Sequence, residues 1–253
     1  MKGYELFTEL ASENRLSILH ALKEGELKFT RIADEIDMTS PEASRQLNRL
    51  LAVNLIRKDA DGHYSLTPFG ELVVSCIPNI EAIAKNSDFF LKHDTSPIPP
   101  HLLHRMDDLS KGEIIRGVFV LVNKMTSLFD EIKEDSYYLS DDFPRFYLPA
   151  IEKKLEEGVK FRAIYPKALL DELWPEIKPE IRNRIEFRML DEIRLVVNIT
   201  DSFSLIAFPG FDGKIDRDLA IIGHDEDFRR WCSEVFNHYW EKALPYYGTK
   251  TKK

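Results

Sequence analysis

Apolar residues recur at helical spacing through most of the first ninety positions. Leu6, Phe7 and Leu10 fall on one side of a helix over Tyr4 to Ala11. Ser12 caps a second helix, through Leu16 and Leu22, which stops at Gly25. A short helix follows between Thr30 and Asp37. Ser40 as N-cap, with Pro41 at the first helical position, then opens another. Its Ala43, Leu47, Leu50 and Leu51 form one stripe expected to be buried. The period then changes to two. Leu55–Lys58 and His63–Leu66 flank Asp59-Ala60-Asp61-Gly62, and the Asp-Gly pair suits a tight hairpin because glycine takes positive φ without penalty. Thr67-Pro68 restarts a capped helix in which Phe69, Leu72, Val73, Cys76, Ile77, Ile80, Ile83 and Ala84 give a long 3-4 repeat. Pro78 is expected to kink or interrupt it.

The second half alternates differently. His93 to Pro100 carries three prolines in four positions, which favours extended backbone and marks a boundary. Val118, Leu121, Val122, Met125, Leu128, Phe129 and Ile132 keep helical period despite their β-branched composition. A strand at Ser136–Leu139, a helix from Pro144 to Glu157, a strand at Val159–Tyr165, a helical segment through Leu170 and Trp174, and a strand at Ile185–Met189 come next. That order implies parallel strands with crossover helices. Arg194–Ile199, Phe203–Phe208 and Leu219–Ile222 read as consecutive strands, hence antiparallel, before a last helix through Phe228, Trp231, Cys232, Val235, Phe236 and Trp240. The expected class is α+β in two domains: a winged helix-turn-helix over 1–66, a connecting or dimerisation helix with a Pro-rich linker over 67–112, and a mixed α/β effector-sensing or regulatory domain over 113–253.

The helix-turn-helix reading carries a binding prediction. Opposite the apolar stripe of the helix after Pro41 stand Ser44, Arg45, Asn48 and Arg49, placed to read bases and phosphates of double-stranded DNA in the major groove. Lys28, Thr30, Arg31 and Ser40 flank that surface, and Lys58 and His63 lie on the wing. Replacing Arg45 or Arg49 by alanine is expected to lower operator affinity without lowering stability. Glu42 either accepts from a cytosine amino group or favours the helix N-terminus. The stripe after Pro68 is either covered by a second subunit, giving a homodimer with two recognition helices on one DNA face, or packed against the chain's own second domain.

Charge qualifies this picture. The 253 residues hold 35 Lys and Arg against 43 Asp and Glu, for a net −8, and even the stretch through Gly70 has 9 cations against 11 acids. Binding depends on the charge at the contact surface, not on the sum. The acidic total keeps open a second reading, in which the winged helix binds a component of the transcription machinery instead of DNA. No apolar run reaches membrane-spanning length and Met1-Lys-Gly-Tyr-Glu is not a signal peptide, so a cytoplasmic chain with no membrane partner is expected. Cys76 and Cys232 read as buried thiols, His20 as a structural histidine, and residues 1–66 contain no cysteine for a thiolate metal switch. No metal site and no cofactor is expected. Asp212-Gly-Lys-Ile-Asp-Arg-Asp218 lacks the glycine and acid order of an EF-hand and reads as a connection between strands.

The run SENRLSILHALKEG, the segment Phe29–Leu66, DSYYLS with LEEGVKFRAIYP, and the tail from Leu195 to Trp240 together resemble archaeal transcription regulators. The resemblance is to those with an ArsR-like winged helix followed by the middle domain of methanogenesis regulatory proteins. The plan is also similar to the TrmB family, whose effector domain is related to phospholipase D-like folds. The resemblance implies a sequence-specific transcription regulator. Phospholipase D-like chemistry needs His-x-Lys, and none of the seven histidines has lysine two residues on, so the catalytic motif is missing and no enzyme is expected. P-loop, Gly-x-Gly-x-x-Gly and Gly-x-Ser-x-Gly patterns are missing too. Ligands of parallel sheets bind beyond the carboxyl ends of the strands. Ser140, Asp141, Tyr165, Arg188 and Asp191 occupy those ends and would suit a small polar effector, or are ordinary loop and edge residues.

Overall fold

A computed structural model of the chain describes residues 2–248, so the outer ends of the first and last expected domains lie outside the described residues. The chain divides into two compact units after Glu81.

The first unit is built from α1 (Gly3–Leu10), α2 (Glu13–Lys23), β1 (Leu27–Lys28), α3 (Phe29–Glu35), α4 (Ser40–Ala52), β2 (Ile56–Lys58), β3 (His63–Leu66) and the start of α5 (Pro68–Lys85). Its core gathers Ile18, Leu19 and Leu22 of α2, Ile32 of α3, Leu47 and Leu50 of α4, and Val74 and Ile77 of α5. Full burial of each such side chain contributes about 1.5–3 kcal/mol before the entropy of ordering it. The wing is an antiparallel sheet in the order β1-β3-β2, with Leu27 opposite Tyr64 and Arg57 opposite Ser65. The hairpin turn places Gly62 at φ 85°, and Asp59 accepts from the His63 backbone N–H at 2.8 Å.

Four details differ from the sequence reading. The wing gains β1, two residues too short to show a period. Helix α4 begins at Ser40, so its N-cap is Thr39. Helix α5 runs on through Pro78. Its long stripe also divides: Val74 and Ile77 enter the core, while Phe69, Leu72, Cys76 and Ile80 stay exposed. At the start of α5, Thr67 Oγ1 accepts from the Gly70 N–H at 2.9 Å, and a Cβ on Gly70 would collide with the carbonyl oxygen of Leu55. That close approach fixes where α5 leaves the wing.

The second unit opens with α6 (Ser87–Phe90), a 3-10 turn at Pro100–Arg105 and α7 (Met106–Leu109). Then come β4 (Glu113–Arg116), α8 (Val118–Leu128), β5 (Asp135–Leu139), α9 (Leu148–Glu156), β6 (Lys160–Pro166), α10 (Lys167–Leu173), α11 (Pro179–Arg182) and β7 (Ile185–Leu190). It ends with β8 (Val196–Thr200), β9 (Ser204–Ala207), β10 (Leu219–Gly223), α12 (Glu226–Lys242) and β11 (Leu244–Pro245). The eight strands form one mixed sheet in the order β11-β7-β6-β5-β8-β9-β10-β4. Only β5–β6 and β6–β7 pair in parallel, as the crossover helices α9, α10 and α11 require.

Strand alternation builds two cores on this sheet. Val197, Ile199, Ile206, Leu219 and Ile221 face α12, whose Phe228, Trp231, Val235 and Phe236 are fully buried. Asp225 caps α12 by accepting from the backbone N–H of Asp227 at 2.9 Å and of Phe228 at 3.3 Å. The stretch expected to be a linker belongs to this core. Ile98, Leu102, Met106 and Leu109 are buried in it, and Trp231 Nε1 donates to the Leu102 carbonyl at 3.2 Å. Its prolines supply an extended path while its apolar residues pack. Cys232 is buried here, and burial pushes its thiol pKa up. The opposite face, with Phe161, Ala163, Tyr165, Phe187, Leu205, Ala207 and Ala220, is covered by α8 to α11.

Candidate DNA-contact face and interior cavity

In the first unit, α3 and α4 are joined by a turn with Asp37 at φ 50°, a conformation that the short polar side chain of aspartate tolerates. The turn sets α4 with Ala43, Leu47 and Leu50 inward and Ser44, Arg45, Asn48 and Arg49 outward and exposed. Gln46 is buried and accepts from Arg15 Nη1 at 2.9 Å. Arg15 also donates to the carbonyl oxygens of Glu9 and Thr8. The Glu9 carboxylate accepts from Arg49 Nε at 3.0 Å and Nη2 at 2.6 Å, and lies 3.1 Å from Arg15. Hydrogen bonding from Arg49 holds the Glu9 carboxyl below the usual range against its burial. Carried by α1, α2 and α4, this network anchors the helix whose outer face carries the candidate contacts.

The expected contact cations therefore fall into two groups. Arg49 is paired with Glu9 and Arg31 with Glu35, at 2.6 and 2.8 Å. Lys28, Arg45 and Lys58 are exposed and have no carboxylate partner among the described residues; Lys58 Nζ lies 5.2 Å from the Tyr64 ring centre. Thr30 and Ser40 are exposed, at the N-terminal turns of α3 and α4. His63 is half-buried opposite Lys28 in the wing, with Nδ1 3.5 Å from Asp59. Glu42, in the first turn of α4, accepts from Asn14 Nδ2 at 2.7 Å and so ties α2 to α4. His20 contacts Glu81 at 3.3 Å.

The second unit contains a cavity of about 440 Å³ on the sheet face beneath α8 and α9. Its floor is made by Ala163 of β6, Ala207 of β9 and Ala220 of β10, three small side chains on three strands. Phe129, Tyr138, Phe143, Tyr147, Phe161 and Phe187 supply aromatic walls. Polar groups are few. Ser136 and Asn198 come from β5 and β8, and Asn198 Nδ2 donates to the Tyr137 carbonyl at 3.1 Å. Tyr165 is 3% exposed, and its hydroxyl has no hydrogen-bond partner among the described residues. Burial pushes the Tyr138 hydroxyl to about 12 and Tyr165 well above its ordinary value. The exposed end carries Asp142, Asp216 and Arg217.

Of the residues expected at an effector site, Tyr165 lines this cavity and the other four do not. Ser140 is fully buried and accepts from the Asp142 N–H at 3.2 Å. Asp141 pairs with Arg217 at 2.6 Å. Arg188 alternates with Phe187 on β7, so it points to the opposite face, stacked 4.2 Å over Trp240 and donating to its carbonyl at 2.8 Å. Asp191 is exposed beyond β7. Tyr138, Ser136 and Asn198 were missed by reading only strand ends; the period-two pattern of β5 and β8 already places them on one face.

No helix among the described residues is long and apolar enough to cross a membrane. Residues 5–87 match the family model described as the HVO_A0261 N-terminal domain. Residues 118–242 match that of the methanogenesis regulatory protein FilR1 middle domain. The methanogenesis regulatory protein FilR1 of Methanothrix harundinacea (strain 6Ac) is 21% identical over 250 residues, an alignment covering 92% of this chain and 56% of that protein. The chain thus spans about half the length of that relative. Among solved structures, TrmBL2, described as an archaeal chromatin protein with a novel mode of DNA binding, aligns over 93% of this chain and 94% of its own, at 19% identity and a TM-score of 0.45. Quinone-bound YodB from B. subtilis aligns over 34% of this chain and 99% of its own, at 21% identity and a TM-score of 0.32. By the two family matches, the chain carries an HVO_A0261-type N-terminal domain followed by a middle domain of the methanogenesis regulatory protein FilR1 type.

Proposed function

We propose that the chain is a sequence-specific DNA-binding transcription regulator that acts as a homodimer and whose second unit binds an effector. The observation that carries this reading is the outer face of α4. Ser44, Arg45, Asn48 and Arg49 stand exposed along a helix whose other side is core, and Lys28 and Lys58 on the adjoining wing have no carboxylate partner among the described residues. Such a face suits major-groove entry, with Ser44, Arg45 and Asn48 reading base edges. Thr30, Arg31, Ser40 and His63 join Lys28 and Lys58 at the backbone. The regulatory role of the FilR1 relative and the DNA binding of TrmBL2 agree with it. The exposed apolar face of α5, with Phe69, Leu72, Cys76 and Ile80, supports the dimer.

Binding to DNA from the region upstream of the chain's own gene, at two salt concentrations and against random competitor, tests the reading. Phosphate neutralisation predicts a steep loss of affinity with salt. One observation favours a second reading, a protein partner for the winged helix: the Arg49–Glu9 pair withdraws a cation from the face. Salt-insensitive binding of a transcription-machinery protein, with no DNA binding, would support that alternative.

A further inference from the structure

We propose that the cavity of the second unit binds a neutral, largely aromatic molecule carrying one or two hydrogen-bonding groups, such as an aromatic alcohol, ketone or amide. Its size lies within the roughly 300–1,000 Å³ of small-molecule sites, whose walls are mostly apolar with a few placed polar groups. Close packing normally leaves few voids larger than a water molecule. Here the void arises because alanine stands at floor positions of three strands while the surrounding walls are large aromatic rings. Those rings form a flat-sided enclosure that a planar ligand fills by edge and stacking contacts.

Charge selects against ions. The charged groups at the exposed end are already satisfied: Arg217 by Asp141 at 2.6 Å and Asp142 at 3.8 Å, and Asp216 by His93 at 3.1 Å. Arg162 contributes to the wall, but its guanidinium lies over the Tyr137 and Trp240 rings. An anion or cation entering the cavity would therefore lose water without gaining a counter-charge. The polar groups that remain are of the right kind for a neutral ligand. The buried Tyr165 hydroxyl is an unused donor, kept protonated by its surroundings. Asn198 donates through Nδ2 to the Tyr137 carbonyl, and its Oδ1 accepts from none of the described residues. A donor and an acceptor set in an apolar enclosure recognise one hydroxyl or carbonyl on a ring system. This replaces the small polar effector that the strand ends suggested. That the ligand is the effector rests on the regulator reading above; that the cavity binds it does not.

The probe is 2-naphthol, whose own fluorescence reports transfer from water to an apolar, hydrogen-bonding site, titrated into the full chain. The expected result is saturable one-to-one binding. Ala207→Trp, which fills the floor, weakens it by about tenfold or more. Ala163→Leu, a smaller fill on another strand, does the same if Ala207→Trp fails to fold; far-ultraviolet circular dichroism decides which variant is read. Tyr165→Phe weakens 2-naphthol by about fivefold, the worth of one hydrogen bond, and leaves naphthalene unchanged. Glucose and naphthalene-2-sulfonate do not compete. Lack of 2-naphthol binding, equal binding by wild type and a folded filled variant, or displacement by glucose or the sulfonate overturns the proposal. Salt-steep DNA binding by the same sample would show that only the ligand class has failed, not the regulator.

Discussion

Arg45 and Arg49 stand about one turn apart on the outer face of α4, and their surroundings separate them. Arg45 has no carboxylate partner among the described residues, while Arg49 closes a two-point ion pair on buried Glu9. The sequence suggests that either alanine substitution costs affinity alone. The structure keeps that expectation for Arg45: Arg45→Ala lowers operator affinity by about tenfold, the low end of one lost base contact, with an unchanged urea midpoint. Arg49→Ala lowers the urea midpoint as well, because it leaves Glu9 with Arg15 alone. Equal midpoints for the two variants would contradict the pairing. Glu9 also gives the fold a pH dependence. Its carboxyl is held below the usual range, so its contribution is whole above that range and is lost as pH falls through the lowered value. The midpoint difference between wild type and Glu9→Gln is therefore constant from about pH 7 down to the ordinary glutamate range and closes below it. A difference that grows on acidification contradicts this assignment.

At the scale of elements, α5 carries the prediction. Its Val74 and Ile77 are consumed by the core of the first unit, and Leu72 is 69% exposed on the other side among apolar neighbours. Leu72→Glu is expected to shift the chain from dimer to monomer in sedimentation and to lower operator affinity by at least about tenfold, since one half-site is lost. A wild-type chain that sediments as a monomer contradicts the dimer. Elements with long amphipathic repeats were legible in the sequence: α4, α8 and α12 lie where their stripes put them, β6 follows its alternation, and the other strands from β5 to β10 lie on the runs read as strands. β1, β4 and β11 were not: β1 and β11 are two residues each, too little pattern to distinguish a strand from a loop, and β4 offers only Ile114 and Ile115 between Glu113 and Arg116. Which side of α5 would be buried was hidden too, since its apolar residues cover more than one face. The cavity escaped for a different reason. Ala163, Ala207 and Ala220 are ordinary strand residues singly, and only the order of strands in the sheet puts Ala207 and Ala220 on neighbouring strands and Ala163, three strands from Ala207, along the same cavity.

At the scale of the whole molecule, the net charge of −8 and the proposed DNA partner are compatible only if a few unpaired cations are concentrated on one face. On the proposed reading Lys28, Arg45 and Lys58, exposed and without a carboxylate partner among the described residues, supply that concentration, and a dimer would double it. The account therefore rests most directly on the salt dependence of binding to the chain's upstream DNA, measured against random competitor between about 50 and 200 mM salt. A dimer neutralising about six phosphates should lose on the order of a thousandfold in affinity across that range while keeping its preference over random DNA. Affinity that is flat with salt, or no tighter than for random DNA in the presence of a ligand that fills the cavity, would contradict it.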